Sequence, residues 1–558
     1  NKMSENNKTV KEFFLMALQN QKANNFKNAE NLYNNFLKER PDHFQANFNL
    51  GALYAQNAKL QLAKKCFSKA VQIKPDSIDA NVNLGAVLAE LGDYQEAITF
   101  SEIAIKINPN HSVAYNNLGA SLKDTGDYQK ALIFFKKAIQ INPNFINAHT
   151  NIALVFKELR KIDDEMHCYE KLNIMKPNSA YVQQNLGRLY LERGHIKESI
   201  NSFKSAIKYD SNNFLYYYLL SDLEKGILNS KLKEKISESI KNKKLTKKNL
   251  SYANFLLSKY ELKEKNYKRE FNYLLEGHAN YLESRSDKFK NDIKYWLSVL
   301  PKKIKLINFD DLKKNTDDSN FSIKPIFIIG VPRSGSTLIE KLITSSDQMI
   351  ISGEEANILS MTVRDKINKN EPIDADINNF KEDIIKRYKS KELIQEKDHL
   401  CFTDKSLDNF FYIGLIKFIF PNAKIINCKR NAISSIMSIL KNNLPGIPWA
   451  HDLNNIFKYF DIYYNVITFY KKKIPNFIYD IELEKLIAKP EEEAKKLLEF
   501  CNIPWNKKCL DFYKRKDLVS RTTSNYQIRK AINNDSSKIY LPYKKFLKNY
   551  SKKYSWFN

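Results

Sequence analysis

A short loop between an apolar run and a helical pattern carries the most informative side chains of this chain. Residues 326–329 are apolar, and they are followed by GVPRSGST at 330–337. We interpret this as a strand, a tight loop and a helix N-terminus, whose backbone N–H groups and dipole favour an anion. The segment matches the phosphate-loop pattern G-x-x-x-x-G-K-[ST], except that Ser336 replaces the lysine. The pattern predicts a phosphate-binding loop with Arg333 as its cation, and not one that handles a magnesium-bound nucleoside triphosphate.

The elements that position this loop are short apolar runs that alternate with helical patterns. The candidate strands are residues 326–329, 349–352, 424–428 and 477–479. The candidate helices follow the loop and then span 410–419, 432–440 and 490–501. This alternation predicts a parallel α/β sheet that binds ligands at the carboxyl ends of its strands.

A repeat of 34 residues fills the first two-fifths of the chain. Prolines recur at this spacing, and small residues keep step with them; the prolines are Pro41, Pro75, Pro109, Pro143 and Pro177. The pattern resembles the tetratricopeptide repeat, a helix-turn-helix unit that stacks into a superhelix with a concave groove. We expect five clear repeats over residues 44–213 and a degenerate one before them.

Asparagines also recur every 34 residues on the predicted first helix of each unit. They are Asn49, Asn83, Asn117, Asn151 and Asn185. An asparagine ladder can hydrogen-bond an extended peptide, because each amide has both a donor and an acceptor. It resembles the ladder in the repeats of O-linked N-acetylglucosamine transferase. The alternative is structural hydrogen bonding between repeats, and the sequence leaves both open.

Length and composition set the broad class. A chain of 558 residues predicts a repeat array at 1–220, a helical connector at 221–320 and an α/β domain at 321–558. The net charge of +27 is spread along the chain without a nucleic-acid-binding motif, so we expect no nucleic-acid partner. The six cysteines form no C-x-x-C pair and the eight histidines are scattered, which predicts reduced thiols and no metal site. With no recognisable signal peptide or membrane span, we expect a cytoplasmic protein.

The C-terminal region resembles a known family in several segments that occur in the same order. These segments are PRSGSTLIEKL at 332–342, SGEE at 352–355, DKSLDNFFYIGLIKFIFPNAKIINCKRN at 404–431 and KLLEFCNIPWNKKCLDFY at 496–513. They are similar to the sulfotransferase domain of bacterial tetratricopeptide-repeat sulfotransferases and to the tyrosylprotein sulfotransferases. The resemblance implies an α-solenoid followed by a P-loop-like sulfotransferase domain. It also implies 3′-phosphoadenosine 5′-phosphosulfate (PAPS) as the sulfonate donor, with no metal required.

The resemblance implies two anion sites for the donor, because PAPS carries phosphate at both ends of its ribose. The loop that holds the 5′ end would consist of Arg333, Ser334, Gly335, Ser336 and Thr337. The 3′-phosphate would be bound by Arg430, at the end of the strand over 424–428, and by Ser438 in the next helix. The family's acidic-proline turn after this arginine is replaced here by Asn431-Ala432.

Three residues are implied to carry the transfer step. Glu354 matches the family's Gly-Glu element and would remove the acceptor proton, with Glu355 as the alternative carboxylate. Lys405 matches the catalytic lysine and, with Arg333, would stabilise the charge on the leaving phosphate. Ser524 and Lys538 would add late contacts to the donor.

The expected reaction is sulfonate transfer from PAPS to an acceptor hydroxyl, with the repeats recruiting substrate or a partner protein. The acceptor is a peptide tyrosine, a saccharide or a small molecule, and the sequence does not choose among them. Two other functions remain open: a catalytically inactive repeat scaffold, or a P-loop nucleotide kinase or NTPase. The serine at position 336 argues against the last.

Overall fold

The structure, a computed structural model, describes residues 2–305, 323–347, 349–373, 376–395, 401–515, 520, 532 and 538–557. It divides into two compact units, Asn1–Pro177 and Asn178–Asn558. The boundaries proposed from the sequence at 220 and 320 stay predictions. Among the helices that the structure describes, none is long and apolar enough to cross a membrane.

The first unit consists of antiparallel helix pairs. Its helices are α1 (Lys2–Lys22), α2 (Phe26–Glu39), α3 (Phe44–Gln56), α4 (Leu60–Ile73), α5 (Ile78–Leu91), α6 (Tyr94–Ile107), α7 (Ser112–Asp124), α8 (Tyr128–Ile141), α9 (Ile146–Glu158) and α10 (Ile162–Met175). The second unit opens with α11 (Ala180–Arg193), α12 (Ile196–Tyr209) and α13 (Phe214–Ser221). From α4 to α12 each helix begins 34 residues after its counterpart in the preceding pair. The predicted solenoid of five repeats is confirmed.

The repeat period reflects packing and turn chemistry. The recurring alanines Ala63, Ala97 and Ala131 are fully buried, so the paired helices approach closely. Asn81 closes the turn before its helix, since its Nδ2 donates to the carbonyl oxygen of Pro75 at 2.9 Å. The carbonyl oxygen of Pro75 therefore has a hydrogen-bond donor beyond the end of α4, where no helical N–H is available.

The predicted asparagine ladder bonds largely to the repeats themselves. Its side-chain Nδ2 contacts are Asn49 to Tyr33 Oη at 3.3 Å, Asn117 to Val82 O at 3.4 Å, Asn151 to Asn116 Oδ1 at 2.9 Å and Asn185 to Tyr181 O at 2.9 Å. The bonds of Asn117 and Asn151 join neighbouring repeats. This pattern favours structural hydrogen bonding, the second of the two interpretations that the sequence allowed.

Five helices connect the repeats to the sheet within the second unit. They are α14 (Ser230–Lys241), α15 (Lys247–Lys263), α16 (Tyr267–Glu283), α17 (Ser286–Lys294) and α18 (Leu300–Lys305), with a π turn at Tyr295–Val299. Their apolar faces join one core with the sheet, since Phe255 of α15 and Phe327 of the first strand belong to the same buried cluster.

The α/β domain contains a four-stranded parallel sheet in the order β2-β1-β3-β4. The strands are β1 (Ile326–Gly330), β2 (Thr403–Asp404), β3 (Lys424–Lys429) and β4 (Ile478–Glu482). The helices are α19 (Ser336–Ser346), α20 (Ile358–Asn368), α21 (Ile377–Ser390), α22 (Ile413–Ile419), α23 (Ala432–Leu440), α24 (Leu453–Lys473), α25 (Leu483–Ala488), α26 (Pro490–Phe500) and α27 (Lys544–Ser551). Short 3₁₀ helices lie at Leu407–Tyr412, Pro448–His451, Lys507–Lys514, Lys538–Tyr543 and Ser555–Phe557. The predicted order, a solenoid and then a parallel α/β domain, is confirmed.

Two details of the sheet differ from the sequence-based prediction. Residues 349–352 are not a strand; Ile351 makes only an isolated parallel bridge to Phe402. The true edge strand is the two-residue β2, which is too short to give a periodic signal. Residue 355, just after this segment, has a positive φ of 56°, which ends any extended pairing.

Candidate functional site

The loop after β1 is shaped by two residues in the left-handed region of backbone conformation. Arg333 has a φ of 68° and Gly335 a φ of 92°. This conformation costs a residue with a Cβ about 1–2 kcal/mol. The backbone strain at Arg333 therefore lowers the stability of the fold. At Gly335 a Cβ would also lie 2.7 Å from Leu483 Cδ1. Ser336 is the first residue of α19, so the loop ends on a helix N-terminus as predicted.

A buried hydroxyl of this loop fits an oxyanion. Ser334 is fully buried. Within the residues that the structure describes, its Oγ has no hydrogen-bond partner. An unpaired hydroxyl in the interior costs free energy, and a phosphate or sulfonate oxygen in the loop would satisfy it. This atom is therefore where the residues present best fit an anionic donor.

The two predicted anion sites are in direct contact. The Nε–H of Arg333 donates to Ser438 Oγ at 2.9 Å, and Nη1 of Arg430 donates to the carbonyl oxygen of Arg333 at 3.0 Å. Burial lowers the pKa of the Arg333 guanidinium, and the nearby Arg430 charge acts in the same direction. Two adjacent guanidinium groups repel each other, so a bound anion between them would be stabilised.

The candidate base is placed by a close approach of two backbone segments. At Gly353 a Cβ would lie 1.8 Å from the carbonyl oxygen of Thr403, so only glycine fits. The N–H of Lys405 donates to Gly353 O at 3.1 Å, and Glu354 forms a parallel bridge with Lys405. This register puts the side chains of Glu354 and Lys405 next to each other at the edge of the sheet.

Lys405 joins the candidate base to the anion loop. Its Nζ donates to Glu354 Oε1 at 3.1 Å and to Thr337 Oγ1 at 3.4 Å. Burial acts to lower the pKa of Lys405, but Glu354 and two further glutamates act against it, and the pKa of this lysine is raised. Lys405 is therefore a buried cation at neutral pH, in contact with both the carboxylate and the loop.

Four residues of the site were not predicted from the sequence. Thr403 Oγ1 donates to Glu340 Oε1 at 2.9 Å, Lys341 Nζ lies 3.7 Å from Glu354 Oε2, and Ser520 Oγ donates to Glu354 Oε1 at 3.2 Å. The one available signal was the charged pair Glu340-Lys341 inside the otherwise apolar stretch LIEKLI at 338–343. On an amphipathic helix, a charged pair at core positions indicates a buried ionic network.

The remaining predicted residues are the alternative carboxylate and two late residues of the chain. Glu355 is exposed and its charge acts on Lys405, whereas Glu354 is 4% exposed and hydrogen-bonds that lysine, so Glu354 is the better candidate for the base. Ser524 lies outside the described residues. Lys538 begins a 3₁₀ helix, but its side chain also lies outside what is described.

Comparison with known protein families gives the class of the C-terminal domain. Residues 325–507 match the model of the sulfotransferase family. Residues 14–78, 76–144 and 180–213 match models of the tetratricopeptide repeat. The chain therefore combines tetratricopeptide repeats with a sulfotransferase-family domain, as its sequence motifs indicated.

Individual relatives resemble parts of the chain. An uncharacterized protein of Aquifex aeolicus is 29% identical over 313 residues, which is 53% of this chain and 40% of that protein. Protein-tyrosine sulfotransferase 1 of Danio rerio is 26% identical over 204 residues, which is 32% of this chain and 54% of that protein. The chain thus spans about half the length of these relatives or less. The crystal structure of the MamA protein is 21% identical with a TM-score of 0.26, covering 38% of this chain and 96% of that one.

Proposed function

We propose that this protein transfers a sulfonate group from PAPS to an acceptor hydroxyl. The observation that carries the proposal is the pair of contacts made by Lys405, to Glu354 Oε1 at 3.1 Å and to Thr337 Oγ1 at 3.4 Å. The candidate base and the predicted anion-binding loop therefore both contact the same buried cation, Lys405. That is the arrangement which a transfer between a hydroxyl and a phosphosulfate requires.

In the proposed reaction the acceptor O–H loses its proton to Glu354. The acceptor oxygen forms a bond to sulfur as the bond between sulfur and the bridging phosphate oxygen breaks. The leaving group is adenosine 3′,5′-bisphosphate, whose new negative charge faces Arg333 and Lys405. Ser334, Gly335, Ser336 and Thr337 would hold the 5′ end, and Arg430 with Ser438 the 3′-phosphate.

The acceptor we favour is a hydroxyl on a protein, with a tyrosine first among candidates. The relative in Danio rerio is named a protein-tyrosine sulfotransferase, and tetratricopeptide repeats form concave surfaces that suit peptides. The amide oxygens of the repeat asparagines could still contact a peptide backbone while their Nδ2 groups serve the repeats. A saccharide or a small-molecule hydroxyl is the alternative that the acceptor assay must include.

A thermal-shift comparison tests the donor assignment. Adenosine 3′,5′-bisphosphate should raise the melting temperature, because it binds only the folded state. Mg·ATP should raise it little, since Ser336 replaces the lysine of the nucleotide-binding pattern. Stabilisation by Mg·ATP alone would favour a nucleotide kinase or NTPase, and no response to either ligand would favour an inactive scaffold.

A further inference from the structure

A second lysine lies against the candidate base, on the carboxylate oxygen that Lys405 does not contact. Lys341 Nζ is 3.7 Å from Glu354 Oε2, whereas Lys405 Nζ is 3.1 Å from Glu354 Oε1. Both lysines are buried, with 4% and 3% of their surface exposed. A carboxylate between two buried cations is held in its ionised form and in one orientation.

Lys341 is itself paired with a second buried carboxylate, that of Glu340. Its Nζ lies 3.4 Å from Glu340 Oε2. The other oxygen of Glu340 accepts hydroxyl hydrogen bonds from Thr403 and Ser352, each at 2.9 Å. Glu340 is fully buried, and among the described residues both of its carboxylate oxygens have partners, so we do not take it as a second candidate base.

The four charged side chains balance each other. Two glutamates and two lysines carry no net charge, which is the state that a buried ionic group needs to offset the cost of leaving water. Glu340 and Lys341 come from α19, whose first turn is part of the anion loop. Glu354 and Lys405 come from the bridged segments at the sheet edge. Removing one member leaves these four positions with a net charge next to the candidate base.

We infer that Lys341 is a positioning residue that keeps the Glu354 carboxylate ionised and oriented to accept the acceptor proton. The inference rests on the proposed function, because Glu354 is a base only if the reaction is the one proposed. Lys341 neither gives nor takes a proton in this step; it acts on Glu354 through its charge. It is a role that no motif of the sequence assigned.

Thermal unfolding of a double-mutant cycle tests the charge coupling without any assay of activity. The variants are Lys341→Met, Glu354→Gln and the two together. We expect the double variant to melt at a higher temperature than Lys341→Met alone, because neutralising Glu354 restores the charge balance. If the decrease in the double variant equals the sum of the decreases in the two single variants, the charge coupling is overturned. Lys366→Met, in the exposed pair Lys366–Glu371, is the matched control and should change little.

The pH dependence of kcat/KM tests the positioning role. Loss of the Lys341 charge should move the acid limb towards neutrality, because a carboxylate ionises less readily when a neighbouring cation is removed. Lys341→Gln keeps an N–H donor without the charge, so it should show the same shift even if the methionine variant folds poorly. Lys341→Arg should keep the limb near its original position. An unmoved limb in active Lys341→Gln would overturn the inference and leave the proposed function standing.

The two possible failures are separable. If the unmodified protein transfers no sulfonate from PAPS to any acceptor class, the proposed function fails, and a positioning role for a base fails with it. The thermal cycle would still report whether Lys341 and Glu354 are coupled. If transfer occurs and only the predictions for Lys341 fail, the base keeps its ionisation through its other contacts, Lys405 among them.

Discussion

The Nε–H of Arg333 donates to Ser438 Oγ at 2.9 Å, across 105 residues of sequence. The family resemblance predicts that the arginine binds the 5′ end of the donor and the serine its 3′-phosphate. Because the two side chains are in contact, the two predicted anion sites would form one continuous surface. A substitution at Ser438 should therefore weaken the contacts to both ends of the nucleotide.

Replacing Ser438 with alanine should weaken the binding of adenosine 3′,5′-bisphosphate roughly tenfold or more, since a hydrogen bond to a charged group contributes about 1.5–3 kcal/mol. The affinity for adenosine 5′-phosphate should fall less, because this ligand lacks the 3′-phosphate. Isothermal calorimetry with both ligands measures the difference. Ser237→Ala on α14 is the control: its side chain is exposed, and its Oγ donates to the carbonyl oxygen of Lys233 in the same helix at 2.9 Å. Equal affinities in the two variants would remove Ser438 from the donor site.

Replacing Lys405 with methionine should lower kcat by about 10²–10³-fold, the cost of losing one preorganised charge at a transition state. Lys405→Arg should restore little of the lost kcat, because the planar guanidinium is larger than the ammonium group that the site holds. Steady-state rates at saturating donor give the comparison. The exposed Lys386→Met variant, on α21, should retain full activity. A Lys405→Met enzyme with an unchanged kcat would show that another cation serves the leaving phosphate.

Replacing Gly353 with alanine should destabilise the second unit and displace the base. The added Cβ would meet the carbonyl oxygen of Thr403 at 1.8 Å, which is backbone and cannot rotate away. Overpacking of this kind costs about 1–3 kcal/mol. Thermal melts should show a lower melting temperature. Activity should also fall at temperatures where the variant is still folded, because Glu354 is the next residue and would be displaced. Gly226→Ala is the matched control, since nothing lies within 4 Å of its Cβ position. A Gly353→Ala protein as stable as this control would contradict the close approach.

Two buried histidines predict a loss of stability in mild acid. His278 of α16 and His451 have their Nδ1 atoms 3.0 Å apart, and both are buried. Burial lowers the pKa of His278 to about 4 and that of His451 to about 3. An unfolded histidine titrates near 6.5, so acid stabilises the unfolded state first, at about 1.4 kcal/mol for each pKa unit of difference. Stability should be complete above pH 6.5 and fall progressively as the pH is lowered to 4.

Melting temperatures between pH 7 and pH 5 check this expectation. The double variant His278→Gln/His451→Gln should lose less stability over that interval than the unmodified protein, whatever its stability at pH 7. His167→Gln, at a histidine side chain that is 65% exposed, should leave the pH slope unchanged. Parallel slopes in all three proteins would mean that other groups control the acid response.

Local patterns predicted the parts of the fold that depend on short-range order. The 34-residue period located five helix pairs because most repeats carry small residues at matching positions and each has a proline just before its first helix. The loop after β1 was recognisable because the chemistry of anion binding is local: a glycine at positive φ, a helix N-terminus and one cation. The predicted helix at 432–440 and the observed α23 agree to the residue.

Long-range contacts were not predictable in the same way. The two-residue strand β2 has no periodicity, and its pairing with β1 depends on residues 77 positions apart along the chain. The network around Glu354 joins Lys341, Lys405 and Ser520, and no spacing rule relates three such positions. The asparagine period was real, but periodicity alone could not tell whether an amide faces a ligand or the next repeat. That distinction required the observed hydrogen bonds.

The most direct test of the proposed sulfotransferase activity is transfer of labelled sulfonate from PAPS, with Glu354→Gln and Glu355→Gln as a matched pair. Acceptors are a cell lysate separated into protein, saccharide and small-molecule fractions. We predict label in the protein fraction with the unmodified enzyme and with Glu355→Gln. Glu354→Gln should transfer none, because it lacks the carboxylate that hydrogen-bonds Lys405. It should still bind adenosine 3′,5′-bisphosphate in calorimetry, because the loop after β1 and Arg430 are unchanged. Transfer that persists in Glu354→Gln, or no transfer by the unmodified protein to any fraction, would contradict the account.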